Sequence, residues 1–385
     1  MRFIRIDPVL VTLLACAIAS LLLLPVVTHA PNRLLSGRPV PLGDLAHGAV
    51  PLLRPAGLLL ALSTLALSTL ARANNRVILM LGGVAALAAI GGLLALAGAT
   101  AAALVDPAQP GARVAIGWGM WGGLLACALI WTETVRRLVR APALRTALGL
   151  LAFAPPAVLL ANGSLSHLSL LEEYRARAET FDAAVLGHLR LVGLTLAFAL
   201  PAGLALGLLA QRRAAWRAPV FGVLNVVQTI PSIALFGLLL VPLAGIGLGG
   251  IGTSPAVIAL TLYALLPVAR TTAAGLDGVQ DDVRDASRGM GMTARQTFLH
   301  VDVPLALPTI LTGIRITAVQ TIGLAVVAAL IGAGGLGAIL FQGLFANALD
   351  VVMLAVIPVV VLAALADAGF AILAELAASA AGRIA

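Results

Sequence analysis

The residues that could do chemistry are few and unevenly placed. Of 385 residues, 61% are hydrophobic and only 10% charged, where a soluble globular chain carries about 25%. The two cysteines, Cys16 and Cys127, lie in apolar runs, and the five histidines are scattered. No His, Cys or carboxylate cluster has the spacing of a metal site, and no nucleophile stands with a base. No Gly-rich loop closes on Gly-Lys-Ser/Thr, so the chain is not expected to bind ATP in that manner or any cofactor. Charge concentrates instead at residues 281–308, DDVRDASRGMGMTARQTFLHVDVPLALP, between two apolar segments.

That stretch has a physical reading of its own. Asp281 and Asp282 open a short helix to about Met290, where acids favour the positive end of the helix dipole. Asp281 with Asp285, and Arg284 with Arg288, fall at i,i+4 on two faces. Gly291 permits a bend that a side chain would resist. Thr293 can cap a second helix over 294–301, and Pro304 is expected to limit its extension. A small, charged, bent helix pair between two apolar segments suits docking into a groove on a soluble partner. The plainer alternative is a solvated loop.

Two further groups are chemically conspicuous. Gln228, Thr229 and Ser232 put polar groups into an apolar run, with Pro231 among them. Polar groups in lipid need partners or a water-filled cavity. A translocation path and local hydrogen bonding between helices are both open readings. Gly332, Gly334, Gly335 and Gly337 suit a tight extracellular turn, either a substrate gate or a plain flexible connection.

The elements that must carry these groups are membrane helices. Runs of about 20 apolar residues recur, each long enough to cross a bilayer. Ten spans are predicted, near 8–30, 51–70, 77–105, 114–131, 146–161, 189–210, 220–243, 255–274, 309–330 and 351–375. Strands of alternating polarity are absent, so an all-α polytopic fold is expected rather than a membrane barrel. The first run competes with a signal peptide, but it exceeds a usual h-region and more spans follow, so it is read as retained. The run 61–70 repeats Ala-Leu-Ser-Thr-Leu, and Pro155-Pro156 predicts a kink. Residues 163–188 read as an extracytoplasmic connector with an amphipathic helix, separating an extension over 1–162 from a domain over 189–385.

Net charge is +8 and every basic residue is Arg. With the N-terminus inside, inner loops hold Arg2, Arg5, Arg72, Arg76, Arg136, Arg137, Arg140, Arg145, Arg212, Arg213, Arg217, Arg284, Arg288, Arg295 and Arg383. Outer loops hold mainly Arg33, Arg38, Arg113, Arg175 and Arg177. The bias has the positive-inside sign, puts both termini inside and places 277–308 in the cytoplasm. No basic soluble domain with aromatics is present, so nucleic acid is not an expected partner.

The spacing of the charged stretch is acidic-Ala-Ser from Asp285, then Gly291, then Val301-Asp302-Val303-Pro304. It resembles the cytoplasmic coupling loop of importer-type ABC permeases, with Asp285 where that family usually has Glu and Ser287 where it has Ala. The runs 227–235, 266–276 and 331–343 are similar to the branch that takes up glycine betaine, choline and related osmoprotectants. The resemblance covers roughly 185–375. It implies a type I importer permease core built from the C-terminal five spans, in a bacterial inner membrane. It implies a second permease chain, a cytoplasmic ATPase that holds ATP and Mg, and a periplasmic substrate-binding protein. On this reading Asp285, Ala286, Ser287, Arg288, Gly291, Met292, Thr293 and Pro304 form the ATPase-coupling element. An amino acid or another small solute would use the same architecture. The rival from another class is an ion-coupled carrier, for which Asp367 and Glu375 are the plausible pair. The 1–162 extension has no role assigned by either reading.

Overall fold

The computed structural model describes residues 7–32, 37–46, 76–104 and 111–382. The predicted second span, 51–70, and its internal duplication lie outside the described residues. The chain forms two compact units, Met1–Ala176 and Arg177–Ala385.

The first unit departs most from expectation. Helix α1, Pro8–Leu23, is capped by Asp7, whose carboxylate accepts the Val9 and Leu10 amides at 3.0 and 3.3 Å. It stops well short of residue 30. Pro25 disfavours helical geometry at Leu24, which is extended at φ −115° and ψ 153°. The run continues as strand β1, Val27–Ala30, flanked antiparallel by β2, Arg38–Val40, and β3, Arg113–Ile116. This small sheet corrects the all-α expectation; strands of three or four residues leave little alternation to read in so apolar a sequence.

The predicted fourth span correspondingly loses its first residues to β3. Helix α2, Leu42–Ala46, follows β2, and α3, Arg76–Leu104, matches the predicted third span. Helix α4, Trp118–Leu138, packs on α1 along a glycine seam. A Cβ on Gly119 would lie 2.6 Å from the Ser20 and Leu24 carbonyls. Then come α5, Pro142–Gly149, a 3-10 turn, Leu150–Phe153, and α6, Ala154–Ala161. Pro155 and Pro156 fall in the first turn of α6, directly after that 3-10 turn. They supply no amides to the Leu151 and Ala152 carbonyls, so regular α geometry fails one turn earlier. Helix α7, Ser169–Ala176, closes the unit.

The second unit begins with α8, Ala178–Arg212, 35 residues long. It takes in 178–188, which the sequence predicts to be connector. The predicted seventh span is two helices, α9, Ala214–Thr229, and α10, Ser232–Gly245, meeting at 106°. Helix α11, Thr253–Asp277, returns to the charged hairpin, α12, Asp281–Gly289, and α13, Ala294–Thr297. A π-turn, Phe298–Asp302, leads into α14, Val303–Val327. A 3-10 turn, Ala328–Ile331, then precedes α15, Leu336–Phe345, and α16, Leu349–Ala381. Leu191, Phe236, Leu260, Tyr263 and Ile322 form the main core. Gly203 and Gly207 let α8 close on α11; a Cβ on Gly207 would fall 2.6 Å from that of Thr272.

Among the described residues six helical stretches are long and apolar enough to cross a membrane. These are Arg76–Leu104, Leu144–Ala161, Ala178–Arg212, Thr253–Asp277, Ala294–Ile331 and Leu349–Ala380; the bent pair α9–α10 makes a seventh. Helix α1, at 16 residues, is shorter than these.

Candidate functional site

The hairpin α12–α13 is held from within by Arg284. Its Nε donates to Asp302 Oδ1 at 2.9 Å, at the entry to α14. Its Nη2 donates to the Leu276 carbonyl at 2.7 Å, in the last turn of α11. Its Nη1 reaches Asp281 at 3.3 Å on α12 itself. One side chain thus ties α12 to both flanking spans. The Asp302 hydrogen bond is the main cause that raises the Arg284 pKa above its ordinary value, with partial burial opposing it, so the guanidinium stays charged.

Ser287, 1% exposed, donates to the Arg284 carbonyl at 2.7 Å and meets the Thr297 hydroxyl of α13 at 3.1 Å. The opposite face is open: Asp282, Asp285, Ala286, Arg288 and Gly289 are exposed, with Met290 at 72%. Asp285 and Arg288 pair at 3.0 Å, and Asp281 pairs with Arg284; both pairs are i,i+3. The i,i+4 faces read in the sequence hold like charges and are not the contacts made.

The bend follows from local rules. Gly291 takes φ +83°, its amide bonding the Arg288 carbonyl, while the Met292 amide bonds that of Ser287. This is the double closure of a helix ended by a left-handed glycine. Thr293 accepts the Gln296 amide, and Gln296 Oε1 accepts the Thr293 amide, so the expected cap is a full capping box. Pro304 does not stop the second helix, contrary to expectation; helix runs continuously over Ala294–Ile331. The π-turn before it bonds Val303 N–H to the Phe298 carbonyl. Pro304 then enters the first turn of α14, where a missing amide is tolerated.

Gln228, Thr229, Pro231 and Ser232 meet at the 106° break, and a reciprocal clasp holds it. Pro267 in α11 has no amide for the Tyr263 carbonyl, and Gln228 Nε2 donates to that carbonyl at 2.6 Å. The Tyr263 hydroxyl in turn donates to the Ile230 carbonyl, freed where α9 ends before Pro231. Thr229 bonds back to the Val226 carbonyl at 2.7 Å. Gln228 therefore serves the contact between helices, while Thr229 and Pro231 are exposed and Ser232 is half-buried.

The glycine turn after α14 uses three left-handed residues, Gly332, Gly334 and Gly335, at φ +78°, +74° and +71°. Gly337 opens α15 against the Val326 carbonyl. Gly335 lies on His188 of α8; a Cβ there would come 3.2 Å from the His188 Cα. His188 is fully buried, with Nε2 3.2 Å from the Ile322 carbonyl of α14 and no partner for Nδ1.

Three partnerships escaped the sequence reading. Arg315 of α14 forks onto both oxygens of Asp367 of α16, at 2.5 and 2.7 Å. Arg270 of α11 donates to Asn225 of α9 at 2.7 Å, and Arg217 pairs with Asp277 at 2.8 Å. Intramembrane charge signalled the first, since Arg315 stands alone in an apolar run and must find an acid. The others need a register that only packing supplies. Among the described residues no group of three or more His, Cys, Asp or Glu could hold a metal.

Residues 199–377 match the family described as "Binding-protein-dependent transport system inner membrane component". Residues 5–171 match "ABC transporter permease YehY, N-terminal domain". The chain is 44% identical over 178 residues to the osmoprotectant import permease protein OsmW of Salmonella typhimurium, covering 44% of this chain and 82% of that one. It is 43% identical to the carnitine transport permease protein OpuCB of Listeria monocytogenes, covering 37% of this chain and 63% of the relative. It is 35% identical to the choline transport system permease protein OpuBB of Bacillus subtilis, over 42% and 72%. Among solved structures, an inward-facing MetNI methionine ABC transporter chain aligns with a TM-score of 0.49 at 24% identity, over 52% of this chain and 98% of that chain.

Proposed function

Because this chain belongs to the binding-protein-dependent ABC permeases, as a transport subunit, we propose that it imports a glycine betaine- or choline-type osmoprotectant, driven by ATP hydrolysis on a partner chain. The observation that carries the mechanism is the Arg284 junction. It joins an exposed charged helix to the ends of two spans, so a push on α12 moves α11 and α14 together. On this reading Asp285, Ala286, Arg288 and Met290 face the ATPase. Ser287, Gly291, Met292, Thr293 and Pro304 keep the hairpin's shape. The break at Ile230-Pro231 borders the translocation path, with Thr229 and Ser232 on its open side, and the turn 332–337 is the outer gate.

The substrate class rests on the relatives. The proposed assembly adds a second permease chain and a periplasmic binding protein. The proposed topology has ten spans in the inner membrane with both termini cytoplasmic, supported by the distribution of arginines. A domain boundary near residue 177 fits this arrangement, with the permease core following it.

The ion-coupled alternative loses its main group. Both Asp367 oxygens are occupied by the Arg315 guanidinium, so that carboxylate is compensated in place rather than waiting for a cation. The test is uptake of labelled glycine betaine and choline into proteoliposomes holding the co-purified complex. Uptake that needs internal-face ATP and survives an uncoupler supports the reading. Uptake that follows an ion gradient without ATP would refute it.

A further inference from the structure

The inner side of the hairpin holds a cavity bordered by the Arg284 junction. It has a volume of about 540 Å³ and lies between the end of α8, the end of α11 and the concave face of α12–α13. Arg212, Arg284, Arg288 and Arg295 line it, against the single carboxylate of Asp302. Arg284 is consumed by its three bonds, and Arg288 shares an exposed pair with Asp285. Arg212 and Arg295 have no carboxylate partner among the described residues. Arg212 is also held in place, its guanidinium 4.4 Å above the Phe298 ring. Stacking fixes the plane of the fork and leaves its N–H edge free.

Like charges gathered in a concave site repel unless a counter-charge enters. Planar forks from two elements suit an anion with several oxygens. Basic pockets between helices on the cytoplasmic side also suit lipid headgroups, and here the walls include apolar Leu276 and Phe298. The volume falls within the range of small-molecule sites and exceeds what a lone chloride needs.

We infer that this cavity binds a phosphoryl group, bridged between Arg212 of α8 and Arg295 of α13. An occupant there links the first core span to the coupling hairpin, beyond anything the transport cycle proposed above requires. The phosphoryl group could be the headgroup of an anionic inner-leaflet lipid or free phosphate.

The full chain, purified and delipidated, is titrated with phosphatidylglycerol, scored by native mass spectrometry against phosphatidylcholine, and separately with inorganic phosphate by calorimetry. The variants are Arg212→Gln with Arg295→Gln, Arg295→Gln alone, and Arg213→Gln, which lies outside the cavity. The double variant is expected to bind at least roughly tenfold more weakly, as loss of charge-assisted bonds implies, and Arg213→Gln to bind as wild type. Arg295 is exposed, so the single variant reads the site even if the double variant folds poorly. Preference for phosphatidylglycerol identifies a headgroup, and saturation by phosphate alone identifies the free anion. Equal binding by wild type and both cavity variants, or no binding of either probe by wild type, overturns the proposal.

Discussion

Replacing Arg284 with Met keeps most of the side chain's length and removes every hydrogen bond it makes. The Asp281 bond carries little, because that acid is 90% exposed and freely hydrated. The Asp302 bond joins side chains only 19% and 15% exposed, and the Leu276 carbonyl is part-buried. Charged hydrogen bonds of this kind contribute about 1.5–3 kcal/mol each. Partial rehydration of Asp302 brings the sum to about 3 kcal/mol, or roughly a hundredfold in the docked fraction of α12.

The chain should still insert, since no span loses core packing. Hydrogen exchange over residues 281–289 should quicken by a comparable factor. In proteoliposomes with the ATPase, uptake should fall at least tenfold while ATP hydrolysis persists, raising the ATP consumed per substrate. Asp302→Asn should do the same less severely, and the double variant should cost less than the sum of the two. An Arg284→Met protein with unchanged exchange and unchanged uptake per ATP would refute the argument that this junction transmits the stroke.

Other consequences follow from the same geometry. Gln228→Leu leaves the Tyr263 carbonyl without a donor and should cost about 1–3 kcal/mol, read as a lower melting temperature in detergent. An unchanged melting point would restore Gln228 to the list of groups free to meet substrate. Gly335→Ala forces a side chain into a left-handed position and against His188; uptake should fall sharply while membrane insertion, checked by immunoblot, stays normal. Ala286→Trp, on the exposed face of α12, should spare folding but abolish co-purification of the ATPase.

Asp7 gives a pH prediction. Its carboxyl is held below its ordinary value, chiefly by the Arg137 hydrogen bond, with burial opposing. Its stabilising contribution is therefore full above the ordinary carboxylate range and lost as pH falls through the lowered value. Asp7→Asn should melt earlier than wild type at pH 7, and the difference should close in acid.

What could be read from residue order alone was governed by short-range rules. The hairpin was legible because acids in the first turn, a glycine stop and a threonine cap are local devices that need no tertiary context. Pro304 misled because a proline ends a helix only if the preceding turn cannot widen, and the π-turn over Phe298–Asp302 does widen. Pro25 was the opposite case. Inside a long apolar run it leaves no mark in hydropathy, yet it disfavours helix at Leu24 and admits the sheet. Hydropathy could report that run as membrane-like but had no means to say where helix gives way to strand.

A polar residue in a span can serve a water path or a contact between helices, and for Gln228 the position of Pro267 favours the contact. Every proline within a span frees the carbonyl four residues earlier, and in lipid that carbonyl must find a donor. Here the debt falls on Tyr263, and of the polar residues near the break Gln228 is the one that reaches it. The sequence contains both the freed acceptor and the spare donor. It does not contain their register, because the 106° turn at Ile230-Pro231 sets how far α9 slides along α11. The same turn brings the Tyr263 hydroxyl to the Ile230 carbonyl at the end of α9. Two hydrogen bonds between α9 and α11 thus hold the break, and the broken helix is a fixed elbow rather than a loose hinge.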